Sequence, residues 1–509
     1  MKRSDVCQRE FLPRHQLVRL VNKPAVEAEL RRSQYSIIKR IQTLFDSSPS
    51  DRNLSAEAQK ICGTTHHQSW GVHLETDNEH IKEMPAPKEK TYRGIFAILV
   101  LIGRPSRIRD FVEEEVCDAD LPLEAPNKAK PWDLRRKKVP DKPLHCFSRW
   151  RHNTVKSFEE RQWTVYAPFL GQDERRLPLF FQIPHRTVLP FTKWERKYPA
   201  GGYGQVYRAE IHPDHHAFQQ VIEGQTPQKQ VFAIKQLSNK SEPDFRKEFV
   251  ILRTVSKIGH PHLISLLGAY EHQEYFHFIF PWAAADLATY WQENKPKNDV
   301  DTPRWLAEQC AGLAGGLSTI HYRTLSGDSL RNATASEGIL GLMSNEPPAT
   351  SQTGIDGPRD MFLLHGDIKR ENILWFPDNT PGSGGGCLRG TLKITDFGTS
   401  KLMTHDDIAW KRPQTCPIYR PPEADLKLSN SSMGTSYDIW GLGCLYLEFA
   451  AWCFGGWDQI QAFLSKRWMR DHRFYKFHTG TFFQVIDDEN GTLGARVKPG
   501  VSDVSPKPP

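Results

Sequence analysis

The segment His365-Gly366-Asp367-Ile368-Lys369-Arg370-Glu371-Asn372 sets a carboxylate, an ammonium and an amide at offsets 0, 2 and 5, between the apolar flanks 362–364 and 373–374. Phosphoryl transfer asks for a cradle for the triphosphate, cations to neutralise it and a carboxylate to take the hydroxyl proton. On this reading Asp367 accepts the proton, Lys369 holds the γ-phosphate and Asn372 is a ligand for Mg2+. A second metal ligand, Asp396, follows in Asp396-Phe397-Gly398, after the strand-like Leu392-Lys393-Ile394-Thr395.

The cradle for the phosphates lies earlier, in Ala200-Gly201-Gly202-Tyr203-Gly204-Gln205-Val206. Glycines between two strands let backbone N–H groups approach phosphate oxygens. Taken alone, a glycine-rich hairpin turn explains this segment as well. Next comes Val231-Phe232-Ala233-Ile234-Lys235, a hydrophobic strand ending in a lysine, and then Glu248 in a helical stretch. An ion pair from Glu248 would aim Lys235 at the α- and β-phosphates. A lone strand lysine is ordinarily just exposed; only the ordered set of residues points to phosphate. That set closes with Tyr419-Arg420-Pro421-Pro422-Glu423 and Asp438-Ile439-Trp440-Gly441-Leu442-Gly443.

Over residues 191–450 the chain resembles a eukaryotic protein kinase. The resemblance implies an α+β, bilobal fold, a β-rich small lobe over a helical large lobe, with Mg-ATP in the cleft. By position it implies that Val206, Ala233 and Leu374 sandwich the adenine, that Phe280 is the gatekeeper before the hinge 281–283, and that Asp286 contacts the ribose. Gly201, Gly202 and Gly204 would lie over the phosphates, and Leu252, Leu266, His365 and Phe397 would stack as a regulatory spine on Asp438. A lysine two places after the catalytic aspartate is similar to serine/threonine kinases. The stretches 96–103 and 158–163, with Ile418-Tyr419-Arg420-Pro421-Pro422-Glu423, also resemble predicted kinases of filamentous fungi that carry an N-terminal extension.

Four departures qualify the resemblance. Pro199 stands in place of the first loop glycine, which implies weaker ATP affinity. Gly366 replaces the arginine that pairs with an activation-loop phosphate, so that switch is not expected here. Cys416 falls where the family has a threonine, although a sliding fit using Thr415 leaves this open. After Asp438 the chain does not read like the family's final helices, Glu423 finds no arginine, and residues 445–454 are expected to expose apolar surface at an incomplete end of the large lobe.

Elements must position these groups. Strands are expected at 205–211, 231–237, 264–270 and 276–280, and helices at 244–256, 305–321 and 457–468. Two polar insertions, 322–360 and 381–386, carry no motif. Within the extension, residues 1–190, the spacing predicts a helix over 26–45, a loop-rich stretch over 46–90, packed elements at 95–102 and 109–116, and a Pro- and Lys-rich linker over 121–143. The kinase region then divides into a small lobe, 191–282, and a large lobe, 283–509.

The bulk composition agrees with an intracellular globular protein. Sixty-seven basic and 60 acidic residues among 509 leave a formal charge of +7, too mild to ask for nucleic acid. The basic run 135–138 reads as a solvated stretch, with a localisation signal as the sharper alternative. Nine scattered cysteines without a Cys-x-x-Cys pair read as reduced thiols of the cytoplasm or nucleus. The longest apolar run, 95–102, is too short to cross a bilayer, so no membrane partner is expected. Histidines 212, 215, 216, 260 and 262 lack the partner spacing of a metal site.

The expected activity is therefore an ATP- and Mg2+-dependent protein serine/threonine kinase acting on protein substrates. The alternative is a weak or inactive pseudokinase serving as a nucleotide-binding scaffold. A third reading is a non-enzymatic interaction protein built on residues 1–190, with the kinase region vestigial. The extension itself is expected to be helical and to pack on the small lobe or recruit a regulatory partner, the alternative being a tail with structural duties only.

Overall fold

A computed structural model describes residues 1–41, 51–63, 81–82, 90–127, 129–196, 204–218, 230–238, 240–322, 361–378, 390–404, 418–426, 434–471, 477–487 and 493–502. The chain forms two compact units, Met1–Lys240 with Leu267–Ile279, and Ser241–Leu266 with Phe280–Pro509.

The first unit opens with a short hairpin, β1 (Lys2–Arg3) and β2 (Glu10–Phe11), followed by helices α1 (Arg14–Leu20), α2 (Lys23–Ile41), α3 (Asp51–Cys62), α4 (Arg93–Leu101), α5 (Ile108–Glu113) and α6 (His152–Val165). Helix α4 is apolar on nearly every side because it is buried on nearly every side. Ile95, Phe96, Ile98 and Leu99 pack with Leu54, Ala58 and Ile61 of α3 and with Phe111 and Phe158. Helix α3 corrects the expected loop-rich stretch over 46–90: Leu54, Ala58 and Ile61 recur at helical spacing and need that core.

The expected linker over 121–143 is also corrected. Glu124 and Arg135 exchange backbone hydrogen bonds of 3.0 and 2.8 Å. Gln162 of α6 clamps Leu123 with two bonds of 2.9 Å, while Leu121, Leu123 and Leu134 are buried. Three leucines spaced through a proline-rich passage give it enough apolar area to be held.

The sheet of this unit has the order β3 (Ile81–Lys82), β4 (Phe180–Gln182), β8 (Gly268–His272), β9 (Tyr275–Pro281), β7 (Val231–Leu237), β6 (Gly204–Ile211), β5 (Phe191–Arg196). The pairs β8–β9, β7–β6 and β6–β5 are antiparallel, whereas β4 joins β8, and β3 joins β4, in parallel. Period-two alternation sends Ala209, Ile211, Phe232 and Ile234 into one core. The chain start is tied to the sheet: Asp5 N donates to Phe191 O, and Trp194 N donates to Asp5 Oδ2, both at 2.8 Å.

The second unit is mainly helical, with α7 (Glu242–Ile258), α8 (Leu287–Glu293), α9 (Asp301–Tyr322), α10 (Ser436–Arg467) and α11 (Pro499–Ser502). Helix α7 runs two residues past the expected 244–256 at each end, because its caps lie there: Ser241 Oγ accepts from Asp244 N, Pro243 sits in the first turn, and Gly259 ends it at φ +67°. Between helices run β10 (Ala285–Asp286), β12 (Ile373–Pro377) and β13 (Gly390–Ile394), one antiparallel sheet, and the pair β11 (Met361–Leu364) and β14 (Lys401–Thr404).

Helix α10 is long and apolar enough to cross a membrane, but half of its apolar window is buried in the protein and it kinks at Gly455 and Gly456. Leu445, Phe449 and Trp452 are fully buried, which corrects the exposed surface expected over 445–454; Phe454 alone of its large side chains stands out, 66% exposed. Trp291 meets Phe449 edge-on at 5.1 Å, and Trp452 Nε1 donates to Asn294 O. Where no final helices were legible, two hairpins form, β15 (Met469–Arg470) with β16 (His478–Thr479) and β17 (Phe483–Asp487) with β18 (Leu493–Val497).

Candidate active site

Asp367 lies in the loop between β11 and β12, 5% exposed, and two neighbours fix its carboxylate while a third holds its backbone. Lys369 Nζ approaches Oδ2 at 2.6 Å, and Asn372 Nδ2 donates to Oδ2 at 2.9 Å and to the Asp367 carbonyl at 2.8 Å. The Asp367 N–H donates to His365 Nδ1 at 3.3 Å. His365 Nε2 faces Thr395 O at 3.0 Å and is therefore the protonated nitrogen. The offsets 0, 2 and 5 thus bring the three expected groups onto one oxygen.

A fully buried carboxylate supports this loop from below. Asp438 of α10 accepts His365 N at 2.8 Å, Gly366 N at 2.7 Å and His321 Nε2 at 2.9 Å. Gly366 is at φ +80°, a conformation a side chain resists, so glycine here lets the loop turn over Asp438. His321, in the last turn of α9, was not among the expected site residues, since nothing in the sequence sets it apart from the other polar residues of that helix. The hydroxyls of Thr399 and Ser400 donate to His365 O at 3.2 and 3.1 Å.

The segment carrying Asp396 is stitched to the same loop. Thr395 N donates to Asn372 O at 2.9 Å, and Asp396 itself adopts a left-handed backbone, φ +64°. A side chain at Gly398 would stand 3.4 Å from Asp396 Oδ1 and 3.7 Å from Glu248 Oε2, so both carboxylates face the space above this glycine. Phe397 meets His365 edge-on at 4.9 Å, and Leu252, Leu266, His365 and Phe397 are each at most 1% exposed.

In the first unit Val206 lies directly across from Lys235, and Ala233 precedes Lys235 by two positions. All three therefore share the sheet face opposite to Phe232 and Ile234. Gly204 begins β6 so close to β7 that a side chain would meet Gln236 O at 2.5 Å. Gly201, Gly202, Pro199 and Cys416 lie outside the described residues, as do both polar insertions beyond Tyr322 and Asp378. In the second unit Asp286 pairs with Leu374, and its Oδ1 caps α8 by accepting Thr289 N at 2.8 Å. Phe280 is half-buried near the end of β9. Histidines 260 and 262 pack against glycines 315, 316 and 312 of α9.

A protein kinase domain family model matches residues 354–466, and a protein tyrosine and serine/threonine kinase model matches residues 192–326. Among curated relatives, the G2-specific protein kinase nimA of Emericella nidulans is 28% identical over 228 residues, covering 43% of this chain and 28% of that protein. The G2-specific protein kinase nim-1 of Neurospora crassa is 27% identical over 222 residues, 42% of this chain and 22% of the relative. The CTD kinase subunit alpha of Saccharomyces cerevisiae is 40% identical over 95 residues, 19% and 15% of the two chains. The chain thus spans less than a third of the length of these relatives.

Proposed function

The chain carries a protein kinase domain, and from that premise we propose that it transfers the γ-phosphoryl group of ATP to serine or threonine hydroxyls of proteins. The observation that carries the proposal is the Asp367 carboxylate, bridged at one oxygen by Lys369 and Asn372. With Oδ2 so occupied, Oδ1 remains to accept the proton of an incoming hydroxyl. Lys369 would hold the transferred phosphoryl group, and a lysine at this place favours serine and threonine over tyrosine.

The site's donors suit a hard divalent cation. Asn372 spends its Nδ2 on Asp367, which leaves its amide oxygen, and Asp396 adds a carboxylate; oxygen sets of this kind fit Mg2+. Bound Mg-ATP would supply the phosphoryl group and the neutralising charge. Lys235 would bind the α- and β-phosphates, oriented by Glu248, under backbone N–H groups of the loop bearing Gly201, Gly202 and Gly204. Val206, Ala233 and Leu374 would enclose the adenine, with Phe280 behind it and Asp286 at the ribose. The thiols of Cys7, Cys62, Cys117, Cys146, Cys310, Cys444 and Cys453 are free, which supports an intracellular setting, cytoplasmic or nuclear.

The test is phosphate transfer to a generic protein substrate, followed by intact mass, with Asp367→Asn beside the native chain. Loss of about 10²–10⁴ in rate is expected, with Mg-ATP still raising the melting temperature. Equal turnover in Asp367→Asn would refute the mechanism. Nucleotide-induced stabilisation with no transfer by the native chain would favour the scaffold reading.

A further inference from the structure

Glu448 of α10 is 1% exposed, and its carboxylate gathers three segments. Tyr419 Oη donates to Oε2 at 2.5 Å, Arg467 Nη2 lies 3.0 Å from Oε1, and Arg370 Nη1 lies 3.8 Å from Oε2. Arg370 stands in the very loop that carries Asp367, Lys369 and Asn372. Tyr419 opens the segment leading to Glu423.

Arg467 is the dominant cation of this group and is itself fully buried. Its Nη1 donates to Gly480 O at 2.9 Å, and its guanidinium lies 3.8 Å from the Phe482 ring centre and 4.3 Å from that of Phe463. Lys498 Nζ donates to Arg467 O at 2.9 Å and to Thr479 O at 3.0 Å. A second tie runs alongside: Arg420 Nη2 reaches Asp471 at 2.7 Å and Asp425 at 2.8 Å, and the Thr479 hydroxyl donates to Asp471. The two C-terminal hairpins therefore hold residues 419–425 directly and the Asp367 loop through Glu448.

We infer that Arg467, held by Gly480, Phe482 and Lys498, is a positioning residue for the Asp367 loop, acting through Glu448 on Arg370 and Tyr419. A buried carboxylate stripped of one cation is left uncompensated. Without Arg467, Glu448 would draw on Arg370, now at 3.8 Å, and shift the loop with it. A misplacement of about 1 Å can cost roughly 10²-fold in rate. The consequence for turnover rests on the proposed kinase activity; the consequence for loop order does not.

The experiment compares the full chain with Arg467→Met and Arg467→Lys, reading hydrogen exchange over 365–374 and 418–425 together with peptide-phosphorylation kinetics. In Arg467→Met, exchange over 365–374 should quicken at least about tenfold. The kcat should fall at least about tenfold, with the KM for ATP unchanged. Arg467→Lys should restore most of both. A folded Arg467→Met with native exchange and native kcat overturns the inference. Should Arg467→Met fail to fold, Lys498→Met releases the carbonyls of Arg467 and Thr479 without touching Glu448; faster exchange over 365–374 is then expected, and native exchange there refutes the proposal. If the native chain transfers no phosphate, the kinase reading falls while the exchange results judge the positioning role on their own.

Discussion

Asp118 illustrates what one buried-facing side chain does for the helical region. Its Oδ1 accepts Ile95 N at 3.0 Å and its Oδ2 accepts the Thr91 hydroxyl at 2.8 Å, so it caps α4 from another part of the chain. Burial of the carboxylate outweighs these hydrogen bonds and pushes its pKa up to about 6. An acid whose folded pKa is raised binds its proton more tightly when folded, so its stabilising contribution is complete below pH 3.8 and is lost as pH rises through 6. The native chain should therefore lose up to about 3 kcal/mol between pH 3.8 and 7 relative to Asp118→Asn. Denaturant titrations of both proteins across that range check it; parallel pH dependence of the two would refute it.

At the scale of elements, glycine content in the two long helices has opposite meanings. In α9 a side chain at Gly312 would stand 2.0 Å from His262 Nε2, and that ring is anchored by Nδ1 to Leu392 O at 2.8 Å. Gly312→Ala should destabilise by about 1–3 kcal/mol through overpacking. In α10 nothing lies within 4 Å of the same position on Gly443, so Gly443→Ala should stabilise by about 0.5–1 kcal/mol. Urea midpoints of the pair decide this, and the same sign for both would contradict the packing argument.

These elements also mark how far the sequence could be read. Strand β7 and helices α7 and α9 were legible because each carries a clear period. The Asp367–Lys369–Asn372 cluster was legible because it lies within six consecutive residues. The linker over 121–143 and the C-terminal hairpins were not, since single leucines and phenylalanines separated by polar residues show no period until a partner surface far along the chain is known. Arg467 escaped for the same reason: a basic residue in the last turn of a helix looks solvated until Glu448, 19 positions earlier, is placed against it.

For the molecule as a whole, the contribution of residues 1–190 is one of shared structure. They lie in the same compact unit as the strands bearing Val206, Ala233 and Lys235. Phe181 of β4 and Phe191 of β5 both enter the core formed by Phe232, Ile234 and Tyr270. Scanning calorimetry should accordingly find no separate transition for residues 1–190 apart from that of the sheet, and Mg-ATP should move that transition as one. A low-melting transition that disappears on deleting 1–150 while the rest is unchanged would argue against this.

The parallel pairing of β4 with β8 has a consequence for solubility. A β8 without β4 would present free N–H and C=O groups beside Ala269 and Tyr270, an open edge on which another chain could add a strand. Residues 180–182 occupy that edge from within the same chain, so a proteolytic cut or deletion that frees them would convert a well-behaved sheet into a template for self-association.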